Sequence, residues 1–286
     1  MPRNGVSTLK ISSTPQKSKQ TTEALNLKSR DSKYLFPGLK IGVIIPAYNE
    51  ELNLGKTLER IPNNVSDNLN VIVVDDGSAD RTSEIASKYN IILLRHHKNR
   101  GNGAATKTGL KYCKDRNFKI VVILDADGQH DPKYIGDFIK PIFENYVDFT
   151  IGNRFRYPYD MEPKRKICSK IMTAFYFLFL WKRIYDPTNG YRALSLRLLK
   201  ELEFESNYSL TQEMLYKVVP YYKYKQIPIP VNPRNHGVSF IKLRNYLSKI
   251  ILLFIKYYIF PRIKGITHKI FPKEFRDRVR LYILKT

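Results

Sequence analysis

Val121-Val122-Ile123-Leu124-Asp125-Ala126-Asp127-Gly128-Gln129-His130-Asp131-Pro132 is the stretch on which the fold turns. Four consecutive apolar residues read as a strand buried on both faces, as in a parallel sheet. The run ends in two carboxylates one residue apart, then Gln129, His130 and a helix-starting Asp131-Pro132. Open α/β sheets place their chemistry beyond the carboxyl ends of such strands. Asp125 and Asp127, with the amide of Gln129, offer hard oxygens suited to Mg²⁺ or Mn²⁺ holding phosphates. The same residues also make an ordinary strand-to-turn exit, so the neighbouring segments must decide.

Those segments repeat the pattern. Ile41–Pro46 predicts a strand, followed by Tyr48, Asn49, Glu50 and a helix to about Arg60 with Leu52, Leu54, Leu58 and Ile61 on its apolar side. Asn70–Val74 predicts a second strand ending in Asp75-Asp76-Gly77-Ser78, then a helix over Ala79–Tyr89 and a third strand at Ile91–Leu94. Gly101-Asn102-Gly103 opens a helix to about Lys114. After the central strand come a helix from about Pro132 and a strand at Val147–Ile151 leading to Arg154. This alternation predicts an α/β fold with a doubly wound, mostly parallel sheet. Tyr48/Glu50, Asp75/Asp76, Asp125/Asp127 and Arg154 all fall at carboxyl ends of strands, the expected place for a nucleotide-type site.

Further on, Lys164–Trp181 is a helix, basic at its start and apolar at its end. Asp186–Arg192 is a turn cluster before a short helix at Ser195–Leu202. Leu210–Val219 is a helix bearing Gln212 and Glu213, and Ile227–Val231 a short strand. A loop around Arg234 leads to a helix towards Phe260 and a tail of Lys and Arg interleaved with Ile, Phe, Leu and Tyr.

The chain has 286 residues, 43% of them hydrophobic, enough for one large domain with additions. Its net charge of +23 suggests a polyanionic partner, a nucleic acid or an anionic membrane surface. The two cysteines, Cys113 and Cys168, make no disulfide framework or metal cluster and point to a reducing compartment. Residues 1–34 lack the apolar core of a signal peptide and read as a basic disordered arm. The most apolar runs, Ile171–Trp181 and Ile250–Phe260, reach only about 16 Å as helices, against about 30 Å of bilayer hydrocarbon. They belong to a core or an interface. The expected division is an arm over 1–38, a catalytic domain over 39–240 and a basic amphipathic helical region over 241–286.

Individually the clusters are ambiguous. Tyr48 and Asp76 suit a base and ribose, but Asp75 and Asp76 equally suit a local turn. Gly101 and Gly103 do not give the G-x-G-x-x-G spacing, nor does Lys107-Thr108 complete a P-loop. Arg154, Lys164, Arg165, Lys166 and Arg234 are cations for a phosphate or diphosphate, or else a solvated face. His96, His97, His130 and His236 lack metal-ligand spacing. No Ser/His/Asp or Cys/His set suggests nucleophilic catalysis.

Taken in order, Pro46-Ala47-Tyr48-Asn49-Glu50, Val74–Ser78, Asp125–His130, Gly152-Asn153-Arg154, Asp186–Arg192 and Arg234-x-x-Gly237-x-Ser239 resemble GT-A glycosyltransferases of the family 2 type. The resemblance runs from about Ile41 to Ile250 and is nearest to the dolichyl (polyprenyl) phosphate mannosyl- and glucosyltransferases. It implies a Rossmann-like GT-A fold with C-terminal amphipathic helices. By resemblance, Pro46, Tyr48, Glu50, Val74 and Asp76 hold the nucleoside. Asp125, Ala126, Asp127 and Gln129 hold ribose, metal and diphosphate. Arg154 with Arg165 or Lys166 meets the acceptor phosphate, Arg234 meets the donor diphosphate, and Glu213 stands where the family has a glutamate near the acceptor. The chain departs from the family at Asn102, where Lys is frequent, and at Phe240, where Lys follows the serine; Lys242 stands one turn further.

The implied reaction is inverting transfer of a hexosyl group from a GDP-mannose- or UDP-glucose-type donor to a polyprenyl phosphate. It would occur at the cytoplasmic face of a membrane, with the enzyme held peripherally. The basic tail is expected to meet an anionic leaflet or a small membrane subunit. One alternative keeps the fold but transfers to a glycan hydroxyl, with Glu213 as base. Another class, a basic nucleic-acid-binding protein, is disfavoured because no nucleic-acid module is recognisable and the charge gathers at the chain ends.

Overall fold

Strand β1 (Ile41–Ala47) is buried at every position, and so is β4 (Ile120–Ile123) beside it. The computed structural model describes residues 33–157, 163–230 and 252–259. In chain order the remaining strands are β2 (Leu69–Asp75), β3 (Ile92–Arg95), β5 (Phe149–Asn153), β6 (Arg192–Ser195) and β7 (Tyr224–Pro228). They form one sheet in the order β3-β2-β1-β4-β6-β5-β7. All pairings are parallel except those of β6, which runs antiparallel to both β4 and β5.

The apolar runs of the central strands supply both faces of the sheet. Ile44, Ile72, Val74, Val121 and Ile123 pack on one side with helices α3 (Asn102–Asp115), α5 (Pro163–Leu180), α6 (Leu196–Glu201) and α7 (Leu210–Val218). Val43, Ile45, Val73, Val122 and Leu124 pack on the other with α1 (Leu54–Glu59), α2 (Thr82–Ser87) and α4 (Ile135–Phe143). Strand alternation therefore feeds two cores and gives three layers, as expected for a parallel sheet covered on both faces. Helix α3 comes close to β1 because Gly109 faces Ile44; a Cβ there would lie 2.6 Å from Ile44 Cγ2.

Local signals set the ends of the helices. Asp131 accepts from Lys133 N–H at 3.1 Å, and Pro132 starts the short 3-10 turn before α4. Ser195 caps α6 by accepting from Leu198 N–H.

Several expectations need correction. Arg192 is the first residue of β6 and is buried, rather than the end of a turn. The last strand begins at Tyr224 instead of Ile227, and α2 is shorter than Ala79–Tyr89. Leu52 is 57% exposed, while Leu54, Leu58 and Ile61 are buried. The stretch towards Phe260, expected in a core or an interface, packs on the core where it is described. Phe254 is buried, with its ring 5.1 Å from that of Phe175, and Lys256 pairs with Glu205 at 2.7 Å. The arm up to residue 32, Arg234 and nearly all of the basic tail lie outside the described residues.

Candidate active site

The strand order sets the order of the site. Across the carboxyl edge of the parallel strands lie Asp75 at the end of β2 and Asp76 just beyond it, Tyr48 after β1, and Asp125 and Asp127 after β4. Next come the Asp186–Gly190 turn leading into β6 and Arg154 after β5. Because β6 is antiparallel, its amino end reaches this edge, which is why the turn preceding it joins the site.

Asp75 and Asp76 are almost fully buried and act differently. Asp75 accepts from Ser78 N–H at 2.8 Å and from the Ser83 hydroxyl, closing the turn after β2. Asp76 accepts from the N–H groups of Arg100 and Gly101, the latter at 2.7 Å, and contacts His96 Nδ1 at 2.6 Å. It thereby ties the β2 end to the start of α3. Tyr48 is 40% exposed at the same edge. Pro46 and Val74 are buried neighbours in the sheet register. Glu50 is half-buried; its carboxylate accepts from Asn53 Nδ2 at 2.8 Å and its N–H donates to Thr82 Oγ1.

Asp125, Asp127 and Gln129 are all partly exposed around the left-handed Gly128 (φ +75°). Asp127 accepts from Gln129 N–H at 3.1 Å, an Asx-type turn that fixes its direction. The Ala126 carbonyl accepts from Thr57 Oγ1 at 3.2 Å. Gly190 packs directly on Asp125: a Cβ there would lie 2.5 Å from Asp125 Oδ2. His130 is buried behind the pair with Nδ1 3.3 Å from Asp125 Oδ2, yet that nitrogen makes no hydrogen bond. Burial, with the nearby Arg154 cation adding to it against Asp127, Asp186 and Asn189, pushes the imidazole down to about 4. The ring is therefore neutral near pH 7.

Among the described residues no three His, Cys, Asp or Glu side chains converge on a metal position. Two carboxylates and an amide are nonetheless a fitting partial donor set for Mg²⁺ or Mn²⁺. These cations usually take one or two protein carboxylates and complete their shell with water and substrate phosphate.

Arg154 makes a bidentate pair with Asp186, Nε to Oδ2 at 2.6 Å and Nη2 to Oδ1 at 2.7 Å, and also donates to Thr188 Oγ1. The Arg154 backbone N–H donates to Asp186 as well, and so does Asn189 Nδ2. Buried Arg192 secures the turn from behind by donating to the carbonyls of Pro187, Asn189 and Thr211. Gln212 donates to the Pro187 carbonyl at 3.1 Å.

Glu213 sits apart from this seam. It is wholly buried, accepts from the N–H groups of Glu205 and Ser206, and pairs with Lys217 at 2.8 Å. The loop it holds lies over the start of α3. A Cβ on Gly101 (φ +96°) would meet the Tyr208 ring, and one on Gly103 the Asn207 carbonyl, each at 2.6 Å. Those glycines make room for this loop.

The structure thus brings Tyr48, Asp125, Asp127, Gln129 and Arg154 to one edge and places Asp76, Val74 and Glu213 in supporting or interior positions. Arg165 and Lys166 lie on α5, but their side chains, like all of Arg234, are outside the described residues. Asp186, Asn189, Gly190 and His130 had no role assigned from sequence. Their signal was the compact Asp186–Arg192 cluster and the histidine directly following the acidic motif.

Residues 42–203 match a family described as Glycosyl transferase family 2. An uncharacterized protein of Methanocaldococcus jannaschii is 35% identical over 208 residues, covering 70% of this chain and 84% of that one. The dolichol-phosphate mannosyltransferase of Pyrococcus furiosus is 33% identical over 219 residues, covering 71% of this chain but only 60% of that relative. Glucosyl-3-phosphoglycerate synthase from Mycobacterium tuberculosis, solved with Mn²⁺, uridine diphosphate and phosphoglyceric acid, superposes with a TM-score of 0.64 over 86% of this chain and 84% of its own. Its 18% identity makes this a likeness of fold.

Proposed function

Since the chain belongs to glycosyl transferase family 2 and is a glycosyltransferase with the GT-A form of the α/β sheet, we propose that it transfers a hexosyl group from a nucleotide sugar to a polyprenyl or dolichyl phosphate. The donor is of the GDP-mannose or UDP-glucose type. The observation that carries this reading is the polar seam from Tyr48 through Asp125 and Asp127 to Arg154 along one sheet edge. It is supported by relatives such as the Pyrococcus furiosus enzyme, whose name specifies a dolichol phosphate.

In this reading Tyr48 stacks on the base and Asp76 fixes the turn that frames the ribose. Pro46, Glu50 and Val74 shape the nucleoside end. Asp125, Asp127 and Gln129 hold Mg²⁺ or Mn²⁺, and the Ala126 backbone lies between them. When bound, such a cation neutralises charge on the diphosphate. Arg234 also meets the diphosphate, while Arg154, aimed by Asp186, meets the acceptor phosphate together with Arg165 or Lys166. An acceptor phosphate oxygen bonds to the anomeric carbon as the bond from that carbon to the donor phosphate oxygen breaks, with inversion. The nucleoside diphosphate leaves.

A phosphate monoester is already anionic near neutral pH, so no side chain must take a proton from it. The engagement of Glu213 with two backbone N–H groups and Lys217 favours this over attack by a glycan hydroxyl, which would need a base. The enzyme works peripherally at the cytoplasmic face, with its basic tail on an anionic leaflet or a small membrane subunit. No helix among the described residues is long and apolar enough to cross a membrane.

Incubation with labelled nucleotide sugars and polyprenyl phosphate, with and without chelator, tests the reading. Label in the lipid fraction that disappears with chelator and returns with Mn²⁺ or Mg²⁺ supports it. Label unaffected by chelator would remove the metal assignment.

A further inference from the structure

Helix α5 has two apolar faces, and the core uses one. Met172, Tyr176 and Leu180 are buried. On the opposite side Ile167, Ile171, Ala174, Leu178 and Trp181 follow at helical spacing, all exposed, with exposed Phe177 alongside. A surface helix ordinarily sets polar residues opposite its core stripe. A continuous exposed apolar face instead marks an interaction surface. Trp181, the only tryptophan of the chain, stands at its end, 81% exposed in the left-handed region (φ +52°). That conformation is strained for a bulky residue, and here it accompanies an indole turned out to solvent.

Charge identifies the occupant. From Pro163 to Tyr185 the sequence has six cations and no carboxylate. Lys170, Lys182 and Arg183 are exposed beside the stripe, and the next acid, Asp186, is wholly buried. Apolar side chains and an indole whose described exposed charged neighbours on this segment, Lys170, Lys182 and Arg183, are all cations suit the headgroup and acyl boundary of an anionic bilayer. A second copy would bring the same cations against each other.

We propose that α5 lies in the surface of an anionic membrane, with Ile167, Ile171, Leu178 and Trp181 in the acyl boundary and Lys170, Lys182 and Arg183 among the phosphates. This deepens the lipid-phosphate reading and takes its biological purpose from it. Asp186, which grips Arg154, lies five residues beyond Trp181, so docking presents the Arg154 end of the seam to the membrane.

The single tryptophan makes the test direct. Emission of the full chain is recorded while vesicles of phosphatidylcholine and phosphatidylglycerol are added, with brominated acyl chains as a quencher. The expected result is a blue shift with quenching, weaker with phosphatidylcholine alone. Leu178→Glu should weaken vesicle binding roughly tenfold or more while leaving the thermal midpoint and turnover of a short water-soluble acceptor unchanged. Binding seen in flotation with no blue shift would overturn the proposal, because another segment would then be the membrane contact. So would an indole already shielded from aqueous quencher without vesicles, which would show the stripe covered by the chain itself or a second copy. If the indole inserts but no sugar reaches lipid phosphate, the acceptor reading fails and the docking surface stands.

Discussion

Asp186 grips Arg154 through two hydrogen bonds of 2.6 and 2.7 Å, with the carboxylate wholly buried and the arginine side chain 12% exposed. The pair joins the end of β5 to the turn before β6 and so fixes the direction of the proposed phosphate-binding cation. Removing one partner of a buried pair leaves an uncompensated charge, typically at a cost of about 3–5 kcal/mol. Asp186→Asn is therefore expected to lower the unfolding free energy by about 3 kcal/mol in urea titrations, and to reduce transfer further at temperatures where the variant is folded. Unchanged stability would show that the pair is not what holds this corner.

Gly190 gives a subtler handle on the acidic pair. Its backbone is not left-handed, so alanine is conformationally acceptable there. The added methyl would press on Asp125 Oδ2 from 2.5 Å. Displacing a ligand by its neighbours commonly costs about 10–100-fold in metal affinity. Calorimetric titration of Gly190→Ala with nucleoside diphosphate and Mn²⁺ should show a loss in that range, with metal-free nucleotide binding nearly unchanged. Equal loss with and without Mn²⁺ would mean that Asp125 serves the nucleotide and not the cation.

Glu213 is expected to matter for stability more than for chemistry. Glu213→Gln keeps one acceptor oxygen but loses the Lys217 pair and one of the two carboxylate acceptors serving Glu205 and Ser206 N–H. A buried donor left unpaired costs about 1–3 kcal/mol. The expected outcome is a lower denaturation midpoint with turnover within roughly tenfold of the parent at permissive temperature, well short of the loss expected for a general base. A folded, equally stable variant without turnover would restore the glycan-hydroxyl alternative.

Cys113 offers a check on the packing of α3 against β1. It is fully buried, and burial pushes its thiol up to about 12. Only the thiolate alkylates, so at pH 8 roughly one molecule in ten thousand is reactive. Mass spectrometry after native iodoacetamide treatment should leave Cys113 unmodified, with full labelling in denaturant. Rapid native labelling would mean that the helix opens readily from the sheet.

The parts of the fold legible in sequence are those where one signal dominates. The runs in β1, β2 and β4 are long and apolar because both faces of those strands are covered. Each ends in polar residues because the turns there are built from side-chain acceptors. Strand β6 was hidden because Arg192-Ala193-Leu194-Ser195 has neither an apolar run nor a clear alternation. Only its pairing with β4 and β5 makes it a strand. Asp125, Asp127 and Arg154 could be placed at one edge from strand direction alone. The burial of Glu213 depends on how its helix packs in the core, and the grip of Asp186 on Arg154 joins residues far apart in sequence; local chemistry encodes neither. Gly101 and Gly103 open a helix without a phosphate-loop spacing, and what their missing side chains make room for, Asn207 and Tyr208, could not be read locally.

Transfer of a radiolabelled sugar from its nucleotide to polyprenyl phosphate, followed by anomeric analysis of the lipid product, tests the central proposal most directly. The expected result is label in the lipid phase in proportion to the nucleoside diphosphate released, with the anomeric configuration opposite to that of the donor. Retained configuration would contradict it, as would label passing to a glycan hydroxyl while lipid phosphate stays unmodified.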